Sequence, residues 1–168
     1  MIKNNISSKT ECGPLAKNIC DLKKEINKKY NRRKLFINIP YLKYYKTYEQ
    51  IIYNVLKLVK LIPEVAKAKI KSGSRLCKIC EMIKTCKYGI SDLTGKRLNI
   101  AYELGIMHGI GRKILLIGKS GSRYINFTDT LGLEVIPYKD VKEFEYIIIA
   151  EFFSEFDLKK LPNHYLQG

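Results

Sequence analysis

At 168 residues the chain suits one hydrophobic core rather than two, and a hydrophobic share of 46% supplies it. A formal net charge of +15 will draw anionic ligands, yet the lysines lie scattered among Ile, Asn and Tyr instead of filling one arm. No stretch reaches the roughly 20 apolar residues of a membrane span, and the N-terminus lacks the apolar run of a leader peptide. The expectation is a cytoplasmic protein whose five cysteines stay reduced.

Residues 1–13 are polar and end in Gly13-Pro14, a loose lead-in. Leu15, Ile19, Leu22 and Ile26 then recur at helical spacing, so residues 1–33 read as an N-terminal extension carrying a basic amphipathic helix. Its basic run, residues 23–34, is either a solvated helix face or a patch that tracks phosphates. Residues 35–39, LFINI, form a first strand that Pro40 ends by removing a ladder donor. A helix is predicted over 47–61, with Ile51, Val55, Leu58 and Ile62 on one stripe, Thr47 as its cap and Pro63 just beyond its end. A short second strand is expected within 64–70, followed by a turn over 71–74.

The next helix spans about 74–85, with Leu76, Ile79, Cys80 and Ile83 forming an apolar stripe. Cys77 and Cys80 make a CxxC pair, but no histidine follows at zinc-finger spacing and Cys80 belongs to the stripe, so these thiols read as core and no metal is expected. Residues 88–93 are short, apolar and rich in strand formers, Thr94-Gly95 turns the chain, and 98–110 is so apolar that the helix there should be buried on most of its circumference. Asn99 and Glu103 stand out in it, four residues apart on one face. Burial would raise the Glu103 pKa while the nearby helix N-terminus would lower it. Residues 113–118 give a fourth strand with the small-residue tail KSGSRY, and 133–138 a fifth. Asp140 with Glu143 starts a last helix, to about Phe156, through a capping box, and 157–168 is a tail.

Strands alternating with helices imply a parallel sheet covered on both faces, and in such sheets ligands bind beyond the carboxyl ends of the strands. That rule collects Asn38, Pro40, Tyr41, Asp92, Thr94, Asn99, Glu103 and the loop Ser120, Gly121, Ser122, Arg123 around one crevice. Two carboxylates beside small polar residues suit chemistry on a sugar carrying an anionic group. Breaking a glycosidic bond needs a carboxylate at the anomeric carbon, to attack it or to stabilise its developing positive charge. Glu103 takes that task, Asp92 orients sugar or base, Asn99 helps hold the carboxylate or the sugar hydroxyls, the serine loop offers amides, hydroxyls and a guanidinium to phosphate, and Tyr41 stacks on a base. Each residue also has an ordinary reading: Asp92 as a turn cap, Glu103 paired with Arg97 or Arg112, and the Gly/Ser loop as a plain turn.

Residues 90–118, ISDLTGKRLNIAYELGIMHGIGRKILLIG, resemble the D-x-T/S, N-x-x-Y/F-E-L-G-x-A/M-x-G and K-x-x-I-L-I pattern of nucleoside 2-deoxyribosyltransferase-like proteins and their bacterial TIR-like relatives. FTDTLGLEVIPY, LFINIPY and RLCKICEMIKTCKYGISDLT are similar to further segments of those proteins, so the resemblance covers about residues 34–150 of an α/β domain at 34–156. It implies a flavodoxin-like (Rossmann-like) three-layer fold with a five-stranded parallel sheet in the order 2-1-3-4-5. It also implies cleavage of N-glycosidic bonds in nucleosides, nucleotides or NAD, with NAD as a substrate and no cofactor. The catalytic glutamate of Y-E-L-G falls on Glu103, the strand-three acid on Asp92 and the asparagine before the helix on Asn99. The usual N-P-N is here Arg97-Leu98-Asn99, which leaves substrate and activity open. The alternative is an inactive nucleotide-binding or TIR-like signalling module. A homodimer is expected from the apolar helix at 98–110, and nucleic acid is a further candidate partner for the basic extension.

Overall fold

The computed structural model describes residues 30–42, 45–66, 75–95, 97–122 and 133–155. The expected N-terminal helix, the turn at 71–74, Arg123 and the C-terminal tail lie outside the described residues. The elements are β1 (Asn31–Asn38), α1 (Lys46–Leu58), β2 (Ile62–Val65), α2 (Arg75–Thr85), β3 (Cys86–Asp92), α3 (Leu98–Gly109), β4 (Lys113–Lys119), β5 (Ile136–Tyr138) and α4 (Val141–Glu155). All four strand pairings are parallel and the sheet order is β2-β1-β3-β4-β5, the flavodoxin-like order read from the sequence. Chain direction across the sheet therefore reverses between β1 and β3, which opens a crevice at the carboxyl ends of those two strands.

Alternating strand residues feed two cores. On one face Leu35 and Ile37 of β1, Ile90 of β3 and Leu115 and Ile117 of β4 pack under α1 and α4, with Ile52, Phe144 and Phe152 among the buried helical residues. On the other, Phe36 and Cys86 meet Ile79 and Ile83 of α2 and Met107 of α3, while Leu116 meets Ile100 and Leu104. Cys80 is buried with this stripe and neither Cys80 nor Cys86 is in a disulfide, which accounts for that half of the CxxC motif as core. Helix α3 comes so close to the sheet that a methyl group added at Gly89 would overlap the Met107 sulfur. That proximity holds the catalytic candidate on α3 at a fixed height above β3.

Several boundaries differ from the sequence reading: β1 begins four residues earlier, at Asn31, β3 two earlier, at Cys86, and the ends of α1, β2 and β5 move as well. Helix α1 begins at Lys46 and its N-cap position, Tyr45, makes no side-chain cap bond, so Thr47 lies inside the helix rather than capping it. The helix ends at Leu58, where Lys60 adopts φ 55° and the Lys60 and Leu61 amides donate to the Lys57 and Leu56 carbonyls. This is a Schellman closure, and α3 repeats it with Gly111 at φ 67°. A side chain at the left-handed position costs stability that glycine avoids. Lys60→Gly should therefore stabilise the protein by roughly 0.5–1 kcal/mol in urea titrations.

Strand β2 starts at Ile62 and contains Pro63, whereas the sequence placed Pro63 outside a strand and the strand within 64–70. Strand β2 is the sheet edge, where a missing backbone donor faces away from the ladder. Strand β5 is shortened to three residues. Helix α3 is not buried on most of its circumference: Leu98 is 79% and Tyr102 47% exposed, and Gly105, His108 and Gly109 are exposed too. Only the side bearing Ile100, Glu103, Leu104 and Met107 enters the core. At α4 the Glu143 amide donates to Asp140 Oδ1 at 2.9 Å, as a capping box requires, whereas Glu143 Oε2 accepts the Lys139 amide at 2.6 Å, one residue before the cap. Among the described residues, no helix is long and apolar enough to cross a membrane.

Candidate active site

The crevice is built from the first turns after β1 and β3. At the end of β1, the buried Asn38 side chain donates from Nδ2 to Ser91 Oγ at 3.1 Å and to the Ile100 carbonyl at 2.9 Å. It therefore ties the first turn of α3 to both central strands. One helical turn further, Glu103 is carried against the sheet, 8% exposed. Among the described residues, neither a hydrogen-bond donor nor a cation meets its carboxylate. The pairing with Arg97 or Arg112 does not form; Arg112 instead donates from Nη2 to the Lys84 carbonyl and lies over the Tyr30 ring. Burial alone pushes the Glu103 carboxyl up to about 7.

Tyr41, half exposed, stands beside it. Its phenol is held above the ordinary value by burial first and then by the charges of Glu103 and Glu49, so its hydroxyl lies in the field of both carboxylates. Pro40 and Tyr41, with Ile39, Leu42, Tyr45, Lys46 and Glu49, line a pocket of about 240 Å³ in the turn from β1 into α1. Glu103 is not part of that lining; Tyr41, which is, feels its charge.

Asp92 is placed differently. It is fully buried, with Oδ1 accepting the Thr94 amide at 2.9 Å and Oδ2 accepting the Tyr138 hydroxyl at 2.8 Å. Burial raises its pKa, and the bonds from Thr94, Tyr138 and Tyr45 oppose that rise. The Tyr45 and Tyr138 hydroxyls lie 3.3 Å apart, and Thr94 Oγ1 accepts the Lys119 amide at 2.8 Å. One polar network thus joins the ends of β3, β4 and β5 to the start of α1. Tyr45, Tyr48, Tyr138 and Phe144 stack around it, with neighbouring ring centroids 4.8–5.7 Å apart. In this arrangement Asp92 is enclosed in the network, and Thr94, 9% exposed, braces it.

The serine loop is a tight turn. Gly121 has φ 73°, the Ser122 amide and hydroxyl both donate to the Lys119 carbonyl, and the Ser120 amide donates to the Tyr138 carbonyl at 2.7 Å. Of the two serine amides expected to face a phosphate, that of Ser122 is spent inside the turn and that of Ser120 on the Tyr138 carbonyl of β5. Asn99 is exposed at the start of α3. No group of three or more His, Cys, Asp or Glu side chains that could hold a metal occurs among the described residues.

This fold is shared with an N-glycosidase. The chain is similar to the structure of the Clostridium botulinum CMP N-glycosidase BcmB, with a TM-score of 0.50 and 19% identity, covering 67% of this chain and 96% of that one. At that identity the likeness is one of architecture. No family model matches the chain, and no curated protein matches it.

Sequence reasoning missed Tyr45 and Tyr138. Their hydroxyls meet from positions 93 residues apart, and nothing in a tyrosine's local pattern says that its hydroxyl is buried against a carboxylate. It also missed Lys46 and Glu49, whose place on the first turn of α1 follows from where that helix actually begins.

Proposed function

We propose that the protein cleaves the N-glycosidic bond of a nucleoside, a nucleotide or NAD, passing the glycosyl group to water or to a second base. The observation that carries this reading is Glu103: a carboxylate almost wholly removed from water, with no partner among the described residues, beside the crevice at the topological switch point. An unpaired buried carboxylate costs stability, and a developing positive charge is the kind of partner that offsets it. As the bond from the sugar's first carbon to the base nitrogen breaks, its electron pair leaves with the base and positive charge grows on the sugar. The Glu103 carboxylate then either stabilises that charge or closes on the carbon as a covalent ester that an acceptor later displaces. Tyr41, exposed at the mouth of the crevice, offers a face on which the base stacks. Asp92 acts as a positioning residue, through Thr94 and Tyr138. The shared fold with a CMP N-glycosidase supports the reading at the level of architecture.

The test is chromatographic detection of free base from a panel of nucleosides, nucleotides including CMP, and NAD. Release from at least one is expected; saturable binding with no release from any would overturn the enzymatic reading and leave a nucleotide-binding module. Because the ionised form of Glu103 is the reactive one, kcat/KM should fall about tenfold per pH unit below about pH 7 and level off above it. A pH profile of the wild type between 5 and 9 checks this, and a flat profile across that range would contradict it.

A further inference from the structure

We infer that the end of the sheet opposite the crevice is a docking surface for the phosphate backbone of a nucleic acid. Arg32 and Arg33 open β1, Lys87 opens β3 and Lys113 opens β4, so cations stand at the start of three adjacent strands. Lys57 and Lys60, at the end of α1, come to the same edge, where Arg33 Nε donates to the Lys60 carbonyl at 3.3 Å. All but Lys87 of these six residues are exposed. Glu64, the carboxylate of β2, is already taken by Lys34 at 2.5 Å. The other acids carried toward this end are Glu81 on α2, Glu134 before β5 at the far edge of the sheet, and Glu151 and Glu155 in the last turns of α4.

Three features favour a linear polyanion over a small anion. The cations belong to the starts of three adjacent strands, which span about 10 Å, over which one strand of a duplex presents about three phosphates. In the sequence, the stretch that leads into β1, residues 23–29, holds Lys23, Lys24, Lys28 and Lys29 against a single acid, Glu25. Finally, Lys60 keeps a charged side chain at a left-handed position that glycine fills in the matching closure of α3, so charge is retained here at the expense of backbone ease. The helix C-termini account for cations such as Lys57, but not for those that open β1, β3 and β4.

The experiment compares two triple variants of equal net charge in the full chain. One is Lys57→Gln, Lys60→Gln and Lys87→Gln at the proposed surface; the other is Lys78→Gln, Lys139→Gln and Lys142→Gln on exposed residues elsewhere. Binding to a mixed-sequence 20-base-pair DNA duplex is read by fluorescence anisotropy across salt concentrations, with circular dichroism confirming the fold of each variant. The first variant should bind at least about tenfold more weakly near 100 mM salt, with the log-log salt slope shallower by about 2–3, and the second should match the wild type within about twofold. Equal losses in the two variants would show that total charge and not location matters, and would overturn the assignment. So would absence of duplex binding, or preferential binding of phosphatidylserine vesicles through the same three lysines.

Discussion

Glu103→Gln is expected to reduce base release by about 10³-fold while making the protein more stable above pH 7. The two effects have one cause. In the unfolded chain this carboxyl ionises near its ordinary value of 4.5, whereas in the folded protein burial delays ionisation to about 7. Between those values the folded state binds a proton that the unfolded state has lost, so stability falls as pH rises through the window and stays reduced above it. Holding the charged form in place costs about 3 kcal/mol above pH 7. Glutamine has the same shape and no charge, so the variant should gain up to that amount at pH 8, a Tm rise of roughly 6–12 °C, and nothing below pH 4.5. Melting curves at pH 4.5 and pH 8 with wild type and variant read the difference directly. Equal Tm differences at both pH values would show that the ionised carboxylate is not held at a cost. Unchanged turnover in the variant would remove Glu103 from the chemistry.

The second large effect is expected at Asp92. Truncation to alanine leaves the Thr94 amide and the Tyr138 hydroxyl without their acceptor in a site shielded from water. Each orphaned donor costs about 1–3 kcal/mol, so Asp92→Ala should lose about 3 kcal/mol or more, seen as a lower urea midpoint. Asp92→Asn should lose much less, because the amide oxygen can still accept from Thr94 and its nitrogen can donate to the Tyr138 oxygen. If Asp92 positions the crevice and does not touch the substrate, Asp92→Asn should retain most of the wild-type kcat and its pH limb near 7. A collapse of kcat in a stably folded Asp92→Asn would instead place Asp92 among the groups that meet the substrate.

The order of strands and helices was legible because hydrophobic period is a local property: LFINI, the run from Tyr88 and KILLIG each read as covered strands, and each is one. Glu103 was legible for a related reason, since a single carboxylate in an apolar helix contrasts with everything around it. Helix ends were less so. Thr47 looks like a cap in isolation, yet α1 starts at Lys46, and Pro63 looks like a terminator until β2 is seen to be the sheet edge. The circumference of α3 was overestimated because apolar content alone does not distinguish a helix packed on one side from one packed all round.

The sequence by itself determined the wound parallel architecture and drew attention to Glu103, through periodicity and contrast that neighbouring residues set among themselves. Only tertiary structure decided that Asp92 is buried against the Tyr138 hydroxyl, that the serine amides are taken by the Lys119 and Tyr138 carbonyls, that Tyr41 lies in the field of both Glu103 and Glu49, and that cations from separate segments come to the strand starts. Those facts depend on which side chains meet across tens of residues of chain. Such meetings are set by strand register and helix packing, which no local pattern records.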